Sequence, residues 1–119
     1  MIEMKHIAML IAERAAKRSN CKKRQVGFVV FRDKTILAVG VNQHADDKPC
    51  QCVAGIHDPH VIHAETVICD EWFPDSQAVV TYAPCMGCAS ELVPSGIDEI
   101  SIQHIKHQGG INLLNQNGI

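Results

Sequence analysis

Aromatic residues are scarce in this 119-residue chain: one tryptophan, one tyrosine and three phenylalanines, 4% of the sequence. They are not interleaved with basic residues, so the chain lacks the stacking platform by which proteins hold single-stranded nucleic acid. Neither sign of charge dominates. With 11 Lys and Arg against 13 Asp and Glu, the net charge is -2, which argues against a broad grip on a polynucleotide backbone. No apolar run approaches the roughly 20 residues of a membrane span. The opening Met1-Ile2-Glu3-Met4-Lys5-His6 breaks into charge too early for the apolar centre of a signal peptide. A cytoplasmic setting is expected, with no membrane partner. There the six cysteines are expected as thiols or metal ligands rather than disulfides.

What is present is an apolar fraction of 46%, enough for a packed core. The length and the lack of repeats or linkers predict a single domain, 1–119. Ile7, Leu10, Ile11 and Ala15 recur at helical spacing, so 2–18 reads as a helix. Apolar, β-branched runs at 26–31 and 35–41, separated by Arg32-Asp33-Lys34, read as a hairpin with both strands largely buried. An irregular loop is expected over 42–59, then helix 63–72, strand 78–82, helix 85–93 closed by Pro94-Ser95-Gly96, and strand 99–103. A short amphipathic segment, 111–117, follows Gly109-Gly110. This order predicts an α/β fold, with one sheet between helices and parallel strands wherever a helix makes the crossover.

Two short motifs carry chemistry: His63-Ala64-Glu65 and Pro84-Cys85-Met86-Gly87-Cys88. Cys85 and Cys88 share a face in the first turn of the expected helix, whose N-terminal partial charge favours thiolate. Pro84 suits a helix start. His63 heads the other expected helix, so the two N-termini could converge on one zinc ion. Three protein ligands leave the fourth position open, as in catalytic zinc sites. Zinc lowers the pKa of a bound water to about 7. Glu65, directed away from His63 on the same helix, is left to move protons. A lone C-x-x-C would equally fit a redox pair or half of a structural zinc site. A structural site, however, needs a fourth ligand and gives Glu65 no task. Cys21, Cys50 and Cys52 lie outside this set, with His57 and His60 in the same loop, and are candidates for a second, structural zinc. The basic run Lys17-Arg18 and Lys22-Lys23-Arg24 suffices for a single phosphate, or is a solvated helix end.

With these motifs placed, the chain resembles the cytidine deaminase superfamily, most closely its deoxycytidylate (dCMP) deaminases. The similarity runs over about residues 5–118 and is carried by 19–27 (Ser-Asn-Cys-Lys-Lys-Arg-Gln-Val-Gly), Gly40-Val41-Asn42, the two zinc motifs and Ser95-Gly96-Ile97. The resemblance implies a three-layer α-β-α fold, a mixed sheet of four to five strands with helices on both faces. It implies zinc on His63, Cys85 and Cys88, Glu65 as proton shuttle, and Asn42 at the sugar. Ala64, Phe28 and Arg24 join the substrate-binding set. It also implies a second zinc in some phage and bacterial members, bound from the equivalent of Cys21 and the loop before H-A-E. Several positions depart from the family pattern. Phe28 replaces a small residue and is expected to pack near the base. Val67 stands where H-A-E-x-N has asparagine, and His104, Lys106 and His107 occupy a region that often holds a tyrosine near the substrate phosphate.

The implied activity is hydrolytic deamination of a cytosine nucleotide, with dCMP the leading substrate. Another small amine (cytidine, a modified cytidylate, guanine) or a non-catalytic zinc module remains as an alternative. No polynucleotide partner is expected. A homo-oligomer is expected, because a short last helix without a further strand exposes a sheet edge and apolar helix faces.

Overall fold

The computed structural model describes residues 3–19, 25–44, 61–62, 64, 72–82, 92–104, 109–116 and 118–119. Their elements are helix α1 (Met4–Ala16), strands β1 (Gly27–Arg32), β2 (Thr35–Val41), β3 (Gln43–His44), β4 (Val61–Ile62), β5 (Ser76–Tyr82) and β6 (Ile97–His104), and helix α2 (Gly109–Gln116). A 3-10 turn, Val93–Ser95, precedes β6 and ends on Gly96 at φ +86°, a left-handed conformation that favours glycine. The principal sheet runs β2-β1-β5-β6. β1 pairs antiparallel with β2 and with β5, whereas β5 and β6 run parallel. The expected mixed sheet is therefore present.

β1 and β5 are central strands and place apolar side chains on both faces, as strands covered from both sides must. Val29, Phe31 and Val79 pack with Ala8 and Ala12 of α1 in one cluster. Phe28, Val30, Ala78 and Val80 form the other, with Ala64, Leu92, Ile97 and Leu114 of α2. Alternation along two strands thus splits the core into two layers. Arg32, at the end of β1, donates from Nε and Nη2 to the Pro74 carbonyl at 3.1 and 2.6 Å, which ties the hairpin to the entry of β5.

Four sequence expectations are corrected. β2 is an edge strand with Thr35 and Val39 exposed, so only β1 of the hairpin is largely buried. Gln43–His44 is not irregular loop but a short strand paired antiparallel with Val61–Ile62. Two-residue strands carry too little alternation to register in a sequence pattern. Trp72 lies outside any helix and is 71% exposed.

The fourth correction concerns α1. Its buried residues are Ala8, Ala12, Ala15 and Ala16, while Ile7 and Leu10 stand at 39% and 58% exposure. The reason is how closely the helix approaches β1. A Cβ built on Gly27 would lie 1.9 Å from the Ala12 carbonyl oxygen, so only small side chains fit the seam. Ile7 and Leu10 rotate outward, while Met4, Met9 and Ile11 pack at the margins of the seam.

Candidate active site

The site is read from one end of the principal sheet. Gly27 opens β1 opposite Val41, which closes β2. Tyr82 closes β5 opposite His104, which closes β6. Ligands in open α/β sheets bind beyond the carboxyl ends of parallel strands, and β5 and β6 present those ends here. One zinc motif adjoins this edge in the chain, and the other is joined to it through the pairing of β3 with β4. Asn42 leads from β2 into β3, β3 pairs with β4, and β4 ends at Ile62, directly before His63. Tyr82 directly precedes Ala83-Pro84-Cys85.

Side-chain hydrogen bonds lock this edge. Val26 N–H donates to Asn42 Oδ1 at 2.8 Å, and Asn42 N–H returns a bond to the Val26 carbonyl at 3.2 Å. Asn42 is buried, so the reciprocal pair fixes its side chain and closes the mouth of the hairpin. Gly27 N–H donates to Thr81 Oγ1 at 3.1 Å, tying β1 to β5 where their ladder ends. Thr81, a polar residue in an otherwise apolar run beside the P-C motif, has no place in the sequence expectations, yet it joins the strands that carry the site. The Tyr82 ring stacks against the His104 imidazole, centroids 5.0 Å apart and tilted 35°.

Of the expected substrate-binding residues, Asn42, Phe28 and Ala64 are described. Phe28 has no solvent exposure and Ala64 is 1% exposed; both belong to one core cluster. The zinc-ligand candidates His63, Cys85 and Cys88, the proton shuttle Glu65, the second-zinc candidates Cys21, Cys50, Cys52, His57 and His60, and Arg24 all lie outside the described residues. The expected helices 63–72 and 85–93 lie largely outside them too, though Leu92 is helical. Among the described residues no group of three or more His, Cys, Asp or Glu comes together as a metal site.

A family model described as the cytidine and deoxycytidylate deaminase zinc-binding region matches residues 2–104. The chain belongs to this deaminase family. It is 32% identical over 108 residues to a deoxycytidylate deaminase of Saccharomyces cerevisiae, covering 77% of this chain and 35% of the yeast protein. The yeast relative is thus much longer than the segment matched. A deoxycytidylate deaminase of Mycobacterium phage D29 is 30% identical over 110 residues, 76% of this chain and 86% of that protein. The crystal structure of dCMP deaminase from cyanophage S-TIM5 in complex with dCMP and dUMP superposes with a TM-score of 0.84 at 28% identity, covering 98% of this chain and 93% of that one. The deaminase fold is therefore that of the expected mixed sheet with helices on both faces. The family's region is a zinc-binding one, and one imidazole with two thiolates is a donor set suited to zinc. Among the described residues no helix is long and apolar enough to cross a membrane.

The Asn42 bracket has a measurable consequence. Asn42→Ala deletes the acceptor of Val26 N–H, leaving a part-buried donor unmatched at a cost of about 1–3 kcal/mol. Urea unfolding is expected to show that loss with an unchanged m-value, and Asn42→Asp, which keeps an acceptor oxygen, is expected to recover part of it.

Proposed function

We propose that the chain is a zinc-dependent hydrolase that deaminates a cytosine nucleotide at C4, converting dCMP to dUMP and ammonia. One observation carries the reading: Pro84-Cys85-Met86-Gly87-Cys88 follows the carboxyl end of β5 in the chain, and His63-Ala64-Glu65 follows β4, which pairs with the short strand continuing from the same end of β2. The overall similarity to a deaminase crystallised with dCMP and dUMP supports it.

In this reading His63, Cys85 and Cys88 hold the metal. Zinc, when bound, supplies an activated water for attack on the amidine carbon of the base. Glu65 accepts one proton of the attacking water and passes it to the ring nitrogen, then takes the hydroxyl proton left on C4 and passes it to the amine, which leaves as ammonia as the C4 carbonyl forms. Asn42 contacts the sugar, held in place by Val26. Phe28 packs near the base and limits the pocket to a single ring, and Ala64 joins the substrate-binding set. Lys22, Lys23, Arg24 and Lys106 favour a monophosphate over a bare nucleoside.

The deciding experiment is a turnover assay across dCMP, CMP, deoxycytidine, cytidine and guanine. dCMP is expected to turn over fastest; faster turnover of guanine or cytidine at equal concentration would refute the assignment. The whole of 1–119 is read as one deaminase domain, cytoplasmic, acting on a free nucleotide rather than a polynucleotide and working as a homo-oligomer.

A second, structural zinc is part of the proposal. Cys21, Cys50, Cys52, His57 and His60 exceed what the catalytic set needs, and cysteines in a reducing compartment are better explained as ligands than as disulfides. Metal analysis of fully loaded protein is expected to return a second zinc per chain. A single zinc would overturn this part alone.

A further inference from the structure

We propose that Thr81 is a positioning residue for the zinc site. By holding the Gly27 N–H, its hydroxyl fixes the point at which β5 leaves the sheet, and with it the placement of Cys85 and Cys88. This role rests on those two thiolates being zinc ligands, as in the proposed function.

The ladder between β1 and β5 pairs Phe31 with Gln77, Val30 with Ala78, Val29 with Val79 and Phe28 with Val80. Its next step would set Gly27 against Thr81, and there it stops. Gly27 N–H instead donates to Thr81 Oγ1 at 3.1 Å, a side-chain acceptor where a continuing ladder would use a main-chain carbonyl. On its other edge β5 keeps its partner longer. The parallel pairing with β6 runs on to Tyr82 and His104, whose rings are also in contact. β5 therefore parts from β1 before it parts from β6, and the threonine hydroxyl holds the side that has begun to open.

The two ends of this bond are unequal. Gly27 is the fixed end. It pairs with Val41 of β2, and its neighbour Val26 exchanges hydrogen bonds with Asn42. α1 backs it directly, since a Cβ placed on Gly27 would meet the Ala12 carbonyl oxygen. Thr81 is the end that leads to the ligands. It is 4% exposed and closes the apolar run Ala78-Val79-Val80. Valine has the same branched shape and suits a strand as well, so packing alone does not call for threonine. The hydroxyl is what the position uses. Cys85 follows four positions later. A chain spans at most about 3.6 Å per residue, which keeps the two Cα atoms within roughly 14 Å. A shift at the strand exit has few residues in which to be corrected, and metal–ligand distances tolerate only about 0.2 Å.

Zinc retention against a competing chelator tests the proposal, measured on the zinc-loaded full chain with circular dichroism to verify folding. The ion concerned is the one that Cys85→Ala fails to hold. Groups that orient metal ligands are typically worth about 10–100-fold in affinity, and Thr81, acting through the chain, belongs at the lower end. Thr81→Val keeps the shape and removes the acceptor, and is expected to raise the zinc dissociation constant about tenfold. Thr81→Ser, which restores the hydroxyl, is expected to return most of that loss. Arg32→Met is the control. It removes the two bonds to the Pro74 carbonyl at the opposite end of the same strands, so it is expected to lower stability to urea and leave zinc affinity at the parent value. If Thr81→Val does not fold, Thr81→Ala takes its place, because it removes the tie while leaving the Gly27 N–H open to water. Zinc affinity unchanged without the hydroxyl, reduced equally by Arg32→Met, or not recovered by Thr81→Ser would make Thr81 a structural tie alone and overturn the proposal. These outcomes leave the deaminase reading standing. A Cys85→Ala chain that keeps all its zinc would overturn the proposal together with the ligand set on which it rests.

Discussion

Glu65→Gln is expected to lower turnover of dCMP by about 10⁴-fold while zinc content and folding stay near those of the parent. Glutamine keeps the size of the side chain and its hydrogen bonding but cannot accept a proton from the attacking water. A positioned acid–base group contributes about 10²–10⁴-fold. A single carboxylate that serves both the ring nitrogen and the leaving amine belongs at or beyond the upper end. That loss corresponds to roughly 5 kcal/mol of barrier at about 1.4 kcal/mol per tenfold. The separation from metal binding makes the test selective, since His63→Ala or Cys85→Ala is expected to lose zinc and activity together. A Glu65→Gln enzyme within tenfold of the parent would end this mechanism whatever its zinc content.

The sequence and the fold agree where the signal is local. The run 35–41 forms β2 over those residues and 26–31 forms β1 displaced by a single residue, because β-branched runs broken by a polar turn have few alternatives. The parallel pairing of β5 with β6 follows from the order of elements. Legibility fails where the outcome depends on distance between elements. Ile7, Leu10 and Ile11 are the most apolar positions of the first helix, and a pattern alone turns all three inward, yet only Ile11 packs against the core. Gly27 admits the helix so closely to β1 that alanines take the seam. Strands of two residues are equally invisible without their partner. The site divides in the same way. Its proposed ligand set is written in contiguous motifs, whereas the bracket between Asn42 and Val26 and the tie from Thr81 to Gly27 join residues distant in the chain.

Phe28 is where these two kinds of reading meet, and Phe28→Ala is expected to be among the most destabilising substitutions in the protein. In the sequence it is a departure that crowds the base. In the fold it has no solvent exposure, lies between Gly40 and Val80 on the flanking strands, and shares a core cluster with Ala64, Leu92 and Leu114. Truncation to alanine removes a whole ring from a packed layer that strands on both sides hold open. The transfer and cavity terms together amount to about 3–5 kcal/mol, a large share of a stability of about 5–15 kcal/mol. Urea unfolding is expected to show that loss, and a cost below about 1 kcal/mol would contradict the packing described here. Phe28→Leu, which keeps most of the volume, isolates the functional part. Ala64 sits between His63 and Glu65 in the chain and shares a core cluster with Phe28, so under the proposed function a change at Phe28 reaches the site through that packing. The leucine enzyme is therefore expected to fold and bind zinc while its KM for dCMP rises more than its kcat falls. Equal KM values for the two enzymes would make Phe28 a core residue alone.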